Sequence, residues 1–205
     1  MPDFALLAVF IPTFFFVSIT PGMCMTLAMT LGMSVGVRRT LWMMWGEMAG
    51  VALVAVAAVV GVAGLMLNYP TLFSGLKYLG GAYLAYLGIN MWRARGAMAF
   101  DPLGQVKSER LHLITQGFVT AIANPKGWAF MVSLLPPFIN VERPLTPQLA
   151  TLVGIIMVSE FLSMLAYASG GKSLRLFLSR GNNVRWLNRI AGSLMLAVGL
   201  WLALD

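Results

Sequence analysis

This chain of 205 residues has very few charged side chains. Asp, Glu, Lys and Arg together make up only 10 % of it, against about 25 % in a typical soluble domain. Hydrophobic residues make up 59 %, and the mean hydropathy is +0.82. So few ionisable groups cannot cover a water-facing surface, so lipid must surround most of the protein. This excludes a soluble enzyme, a disordered chain and a nucleic-acid-binding domain, and we expect no nucleic acid as a partner.

Cysteine is almost absent as well. The single Cys24 cannot form an intrachain disulfide, a Cys-x-x-Cys redox pair or a thiolate zinc cage. Without a visible catalytic dyad, the sequence predicts neither an enzyme nor a cofactor. The start, Met1-Pro2-Asp3, lacks the basic residues of a secretory signal, and the apolar run that follows is too long for one. We therefore interpret that run as a mature membrane span.

Six apolar segments are long enough to cross about 30 Å of hydrocarbon, which takes roughly 20 helical residues. They cover Phe4–Thr26 with an apolar continuation to Val37, Thr40–Leu67, Thr71–Trp92, Leu111–Ile139, Gln148–Gly170 and Trp186–Leu204. One long polar connection, Arg93–Arg110, separates two sets of three. The sequence thus predicts an all-α, polytopic membrane protein with a first three-helix repeat at 1–92, a linker loop at 93–110 and a second three-helix repeat at 111–205.

Lysine and arginine are distributed very unevenly between the predicted loops. Eleven lie in or beside the odd-numbered loops, whereas only Lys77 and Arg143 lie on the other side, and Lys126 falls inside span four. Basic residues concentrate in cytoplasmic loops. We therefore expect the odd-numbered loops, including the 93–110 linker, in the cytoplasm and both termini facing outward.

With three spans in each half, the second half would enter the membrane from the opposite side. That arrangement is typical of secondary transporters built from inverted repeats. Three pairs of features recur in the two halves: Thr20-Pro21-Gly22 and Asn124-Pro125-Lys126, the glycine pairs Gly81/Gly88 and Gly192/Gly199, and the acids Glu47 and Glu160. Together they favour two inverted three-helix repeats in which helices one and four are broken.

The two proline sites are the first candidates for function. Pro21 removes a backbone donor from a run of 34 residues, Phe4 to Val37, that carries no formal charge. Non-helical backbone is tolerated in a bilayer only where it is buried in protein or lines a wet cavity. A discontinuous helix there would offer carbonyls and a half-helix N-terminus to a polar ligand. The alternative is a simple proline kink.

Three charged side chains fall inside the predicted spans, where charge is costly and usually marks a pathway. Lys126 could attract a substrate carboxylate or pair with an internal acid; alternatively it extends to the interface along its own stem. Glu47 and Glu160 could receive a substrate ammonium group or carry a proton, and Glu47 could instead be interfacial. Close helix packing is expected at the glycines spaced four apart: Gly32, Gly36, Gly46 and Gly50.

These motifs together resemble the LysE/RhtB family of amino-acid exporters of bacterial inner membranes, over the whole chain. The matching segments are Thr20–Met23 late in span one, Gly46-Glu47 opening span two, Lys77–Leu84 in span three and Asn124–Lys126 in span four. Two positions depart from the family. Met23 replaces the second proline of a common Pro-Gly-Pro motif, and Glu47 replaces the usual Asp. Either could alter substrate choice.

The resemblance implies a multi-pass inner-membrane exporter of amino acids or close derivatives, driven by proton antiport, with both termini in the periplasm. The expected substrate-binding residues are Thr20, Pro21, Gly22, Met23, Asn124, Pro125 and Lys126, with Glu47 and Glu160 for the ammonium group or the coupling proton. Its partners would be a small zwitterionic substrate, protons and the lipid bilayer, and a homodimer stays open. The alternative is an exporter of soft metal or other cations, using Cys24 and nearby methionines, although one Cys and one His argue against a high-affinity site.

Overall fold

The computed structural model describes residues 4–93, 109–135, 138–140, 143–179 and 181–204. Their regular structure consists of eight helices: α1 (Phe4–Ile19), α2 (Met23–Ser34), α3 (Val37–Asn68), α4 (Pro70–Arg93), α5 (Arg110–Ile122), α6 (Pro125–Leu134), α7 (Leu145–Ser179) and α8 (Gly181–Leu204). Within these ranges there is no strand, which confirms the all-α class. Most of the predicted linker, at 94–108, lies outside the described residues, as do Arg95, Lys107 and Arg180.

The first predicted span is broken where the sequence places Pro21. α1 ends at Ile19, α2 begins at Met23, and the two helices are bent by 55°. Pro21 has no N–H to donate to the carbonyl one turn back, and Gly22 takes an extended conformation, with φ −154° and ψ −174°, as the N-cap of α2. The apolar continuation towards Val37 is therefore a separate helix.

The fourth predicted span is broken in the same way. α5 ends at Ile122 and α6 begins at Pro125, where the missing N–H costs nothing because the first turn has no intrahelical acceptor. The side chain of Asn124 caps α6 by accepting a hydrogen bond of 3.1 Å from the backbone N–H of Lys126. α6 ends at Leu134, before the predicted limit at Ile139.

Two helices are long and apolar enough to cross a bilayer by themselves, over Val37–Gly61 of α3 and Leu145–Gly171 of α7. The bent pair α1–α2 qualifies as a third span if it is counted as one. The protein is therefore a multi-pass membrane protein, while the count of six spans stays a prediction. α7 continues past the predicted end at Gly170 to Ser179, with a kink at Gly171, whose φ is +45°.

Glycines allow α3 to pack directly against α5. A Cβ atom at Gly46 would overlap the carbonyl oxygen of Ile114, and one at Gly117 would overlap that of Met43. Gly50 lies at the same contact, beside Ala121. These are backbone groups that cannot move aside, so the two helices approach this closely only because no side chain lies between them.

Two further glycine positions differ from each other. Gly32 of α2 meets the backbone of Ala168 on α7, where a Cβ would again overlap a carbonyl. Gly36 is different: the prediction that it packs helices is wrong. A Cβ there would have nothing within 4 Å, and its φ of +84° places it in the turn between α2 and α3. A left-handed conformation favours glycine, which accounts for this residue.

The helices α4 and α8 cross antiparallel at the recurring glycines. A Cβ at Gly88 would lie 2.7 Å from the carbonyl oxygen of Gly192, and one at Gly192 would lie 2.7 Å from that of Gly88. Seven residues away in each helix, a Cβ at Gly199 would lie 2.8 Å from the carbonyl oxygen of Gly81. The contact is therefore reciprocal: Gly81 of α4 meets Gly199 of α8, and Gly88 of α4 meets Gly192 of α8.

The core consists of two apolar clusters. One cluster contains Phe10, Phe14 and Val17 of α1 together with Phe130, Ile156 and their neighbours. The other contains Met25 and Met29 of α2 together with Met43, Met44, Met164 and their neighbours. Both helix breaks and Glu160 fall at chain positions between the buried members of the two clusters, whereas Glu47 falls within the second cluster, between Met44 and Met48.

Candidate functional site

The two helix breaks contact each other through the side chains of Asn124 and Lys126. The Asn124 amide Nδ2 donates to Cys24 Sγ at 3.3 Å. The Lys126 ammonium Nζ donates to the carbonyl oxygens of Val17 at 2.9 Å and Thr20 at 3.1 Å. Residues a hundred positions apart are therefore joined into one site, and each break supplies part of it.

Side chains around the first helix break donate hydrogen bonds to the carbonyl groups at the end of α1. Beyond a helix terminus, the last carbonyls have no intrahelical donor. Pro21 removes the N–H that would bond Val17 O in a continuing helix, and Val17 O instead accepts a bond of 3.3 Å from the Thr20 N–H. Thr20 Oγ1 donates to Phe16 O at 2.6 Å, Lys126 serves Val17 O and Thr20 O, and Tyr167 Oη of α7 donates to Ile19 O at 2.9 Å. The positive charge of Lys126 also lies at the negative end of the α1 dipole.

The two acids have different surroundings. Glu160 of α7 is partly buried, and its Oε1 accepts a hydrogen bond of 2.5 Å from Ser18 Oγ. Glu47 of α3 is completely buried, and neither of its carboxyl oxygens has an N–H or O–H partner among the described residues, although the Cys24 thiol lies near enough to pair with the carboxylate. Glu47 is thus enclosed by protein and does not face the surface of the bundle. Glu160 lies within electrostatic range of both Glu47 and Lys126.

A small cavity lies between the breaks. Its polar lining consists of Ser18, Thr20, Cys24, Asn124, Lys126 and Glu160, and Gly22 and Gly127 add backbone. The space open to the centres of water molecules is about 40 Å³, whereas roughly 10–15 Å³ is enough for one water. The cavity can hold water in this conformation but is too small for a molecule the size of an amino acid.

The N-terminus of α2 gives this cavity a second positive element. The N-cap residue Gly22 has no side chain to accept a hydrogen bond from the first turn, and Gly22, Cys24 and Met25 all line the cavity. Free amide groups and the helix dipole favour an anion at such an end. Together with Lys126, they form a cationic side of the cavity, and Glu160 forms an anionic one. That charge arrangement is complementary to a zwitterion.

The structure places the predicted binding residues unequally. Thr20, Gly22, Asn124 and Lys126 line the cavity between the breaks, and Pro21 lines a neighbouring one. Met23 is 48 % exposed, and neither Met23 nor Pro125 is among the residues that line either cavity. Both lie at the first position of their helices, where they shape the breaks.

Sequence reasoning missed two contributors to the site. Ser18 donates a hydrogen bond to Glu160, and Tyr167 caps α1. No sequence signal distinguishes Ser18 or Tyr167, because their partners depend on how α7 packs against α1. Cys24, which the sequence offered only as a ligand of soft cations, accepts the hydrogen bond from Asn124.

No group of three or more His, Cys, Asp and Glu residues is arranged to hold a metal ion in the part of the chain that the structure describes. Cys24, Glu47 and Glu160 lie within electrostatic range of one another, and the Cys24 thiol lies near enough to Glu47 to donate to its carboxylate.

Comparison with known proteins adds family information to this geometry. The family model described as "LysE type translocator" matches residues 15–205. A homoserine/homoserine lactone efflux protein of Salmonella typhimurium is 31 % identical, over 91 % of this chain and 90 % of that protein. An uncharacterised membrane protein of Vibrio cholerae is 27 % identical over the same shares, and a leucine efflux protein of an Enterobacter species is 30 % identical over 62 % of this chain and 61 % of that protein. No solved structure matches significantly.

Proposed function

We propose that this chain, which belongs to the LysE family of translocators, exports amino acids or close derivatives as a secondary transporter. The observation that carries the proposal is the Lys126 ammonium, which lies partly buried between two broken helices and is held by carbonyl groups that a substrate can replace. The homoserine and leucine efflux relatives support amino acids as the substrate class.

In this proposal the substrate carboxylate binds Lys126 and the free amides of α2, and the ammonium group binds Glu160. A carboxylate is a better partner for Lys126 than two neutral carbonyls, because it adds the attraction between two opposite charges, which is stronger inside a protein than in water. Substrate binding would therefore release Val17 O and Thr20 O from Lys126. Releasing these carbonyls loosens the contact between the breaks and couples binding to movement.

Movement between inward-open and outward-open states follows from the proposed inverted repeats, 1–92 and 111–205. Two features support this organisation: a broken helix in each half and the reciprocal glycine contact between α4 and α8. Repeats that rock against each other would open the cavity first to the cytoplasm and then to the periplasm. The protein would lie in the bacterial inner membrane with both termini periplasmic.

Proton antiport requires a group whose proton content differs between the two states, and Glu47 is the better candidate. Glu47 is completely buried, and the nearby Cys24 thiol is only a weak hydrogen-bond donor. A buried carboxylate with so little solvation is expensive, so its ionisation depends strongly on whether water reaches it. Glu160 already has a donor in Ser18 and a Lys126 charge nearby. We therefore assign Glu160 to the substrate and Glu47 to the proton.

Uptake into inverted membrane vesicles, driven by a pH step across the vesicle membrane, tests both amino-acid transport and its coupling to protons. We expect the wild-type protein to accumulate radiolabelled homoserine or leucine in response to the step, and to exchange them in counterflow without it. Glu47→Gln should keep counterflow and lose accumulation, whereas Glu160→Gln should lose both. The absence of counterflow across a panel of amino acids would refute amino-acid transport, and accumulation by the Glu47→Gln variant would refute the proton assignment.

A further inference from the structure

A second cavity adjoins the site on the side of α4 and α8, and its volume is about 270 Å³. Thr20, Lys126 and Phe130 line both cavities, so these three residues form the partition between them. The second cavity has room for a small metabolite, which the cavity between the breaks does not.

Two asparagines line this second cavity, Asn90 of α4 and Asn188 of α8. Asn188 is only 9 % exposed whereas Asn90 is exposed, and neither amide has a hydrogen-bond partner among the described residues. Burying the side chain of Asn188 without a partner costs free energy, and polar residues within membrane helices usually mark a functional pathway. The amides of Asn90 and Asn188 are therefore free to bind a ligand.

The position of the cavity indicates which side of the membrane it serves. Asn90 lies three residues before Arg93, and Asn188 directly precedes Arg189; both arginines belong to the basic set that the charge distribution places in the cytoplasm. A substrate that leaves the cytoplasm would therefore meet this cavity before it reaches the one between the breaks.

The lining also limits the ligand's chemistry. Lys126 is the one charged residue in the described lining, no carboxylate is present there, and Leu87, Met91 and Phe130 supply apolar walls. A substrate with a basic side chain would be repelled by Lys126 and would find no counter-ion. A neutral side chain with a hydroxyl, carbonyl or amide group could bind both asparagines, since an amide can donate and accept.

We propose that this second cavity is an entrance site for the substrate, in which Lys126 holds the carboxylate and Asn90 and Asn188 bind a neutral polar group on the substrate's side chain. The inference rests on the proposed function. It makes the asparagines determinants of specificity, and chiefly Asn188. A site built to hydrogen-bond a substrate group discriminates against an analogue that lacks the group, because the amide of the largely buried Asn188 then stays unpaired.

Threonine and valine provide a matched test, because they share backbone groups and nearly the same shape and differ in one hydroxyl. We expect wild-type vesicles to show faster counterflow of threonine than of valine at low concentration. Asn188→Leu and Asn90→Leu should each lower the ratio of the threonine counterflow rate to the valine counterflow rate at least tenfold, mainly by slowing the transport of threonine. Asn182→Leu is the control, because Asn182 is exposed on the same helix and is not among the residues that line the cavity.

Each alternative outcome has a distinct meaning. An unchanged ratio in both Leu variants, or an equal loss of both substrates, would overturn side-chain recognition by the asparagines. A complete lack of counterflow for any amino acid in the wild type would instead refute the proposed function.

Occupancy of the cavity can be measured without transport. Met91 lines the cavity, so Met91→Cys in a Cys24→Ser background provides a thiol whose reaction with a methanethiosulfonate reagent reports access. We expect threonine to slow this reaction at concentrations at which valine does not. Equal protection by both, or by neither, would overturn the entrance site.

Discussion

At the scale of single residues, Lys126 was predictable and its partners were not. A lysine in an apolar run after Pro125 stands out in any reading of the sequence. Its hydrogen bonds to Val17 O and Thr20 O depend on backbone groups about a hundred residues away, which have no sequence signature. The same holds for Ser18, whose importance comes entirely from Glu160 on α7.

Replacing Lys126 by methionine should separate its proposed role in substrate binding from its role in capping the end of α1. We expect Lys126→Met to insert and express normally, because removing a buried charge offsets the loss of two hydrogen bonds, yet to lower transport more than tenfold. Lys126→Arg should also transport poorly, since a planar guanidinium does not replace a compact ammonium. Lys77→Met on α4 serves as the control. Vesicle efflux at matched expression is the measurement, and normal efflux by Lys126→Met would mean that this residue only caps α1.

At the scale of helices, proline predicted the two breaks and glycine only partly predicted the contacts. Pro21 and Pro125 act through local geometry, so their effect on the helix can be read from the sequence. Gly36 and Gly46 look alike in the sequence, but one lies in a turn and the other against a backbone carbonyl. The difference depends on the partner helix, which the sequence does not identify. For the same reason, the sequence did not predict the role of Gly117, where a Cβ would meet the backbone of Met43 and Glu47.

Adding one methyl group at the α3–α5 contact should destabilise the protein. Gly46→Ala and Gly117→Ala would each drive a Cβ into a carbonyl group that cannot rotate away, and overpacking of this kind costs about 1–3 kcal/mol or more. Gly61→Ala on α3 and Gly154→Ala on α7 are the controls, because a Cβ there has nothing within 4 Å. Thermal unfolding in detergent should show a lower Tm for the first two variants alone. Equal Tm values for all four would contradict the packing of α3 on α5.

At the scale of the whole molecule, composition was sufficient to assign a multi-pass membrane protein, and the charge distribution gives its predicted orientation. Two arginines of the predicted cytoplasmic side, Arg110 and Arg189, lie over the rings of Trp42 and Trp92, each 5.1 Å from the centroid. Tryptophan and arginine are both typical of the membrane interface. What composition could not supply is the number of spans, since a bent helix and a straight one have the same hydropathy.

Thiol labelling in intact cells tests the orientation. In a variant that lacks Cys24, a cysteine in place of Ser108 should be protected from an impermeant reagent, because we expect 93–110 in the cytoplasm. A cysteine in place of Pro144 should react. Permeabilised cells, in which both should react, are the control. The reverse pattern would invert the topology and place the Asn90 and Asn188 cavity on the periplasmic side.

The crossing of α4 and α8 also has a consequence for the symmetry of the chain. Gly88 meets Gly192 and Gly199 meets Gly81, which is the contact that two identical three-helix subunits would form across a twofold axis. A three-helix subunit with this glycine surface would pair with an inverted copy of itself through the same contact. The crossing of α4 and α8 is therefore the self-complementary contact that the proposed organisation as two inverted repeats requires.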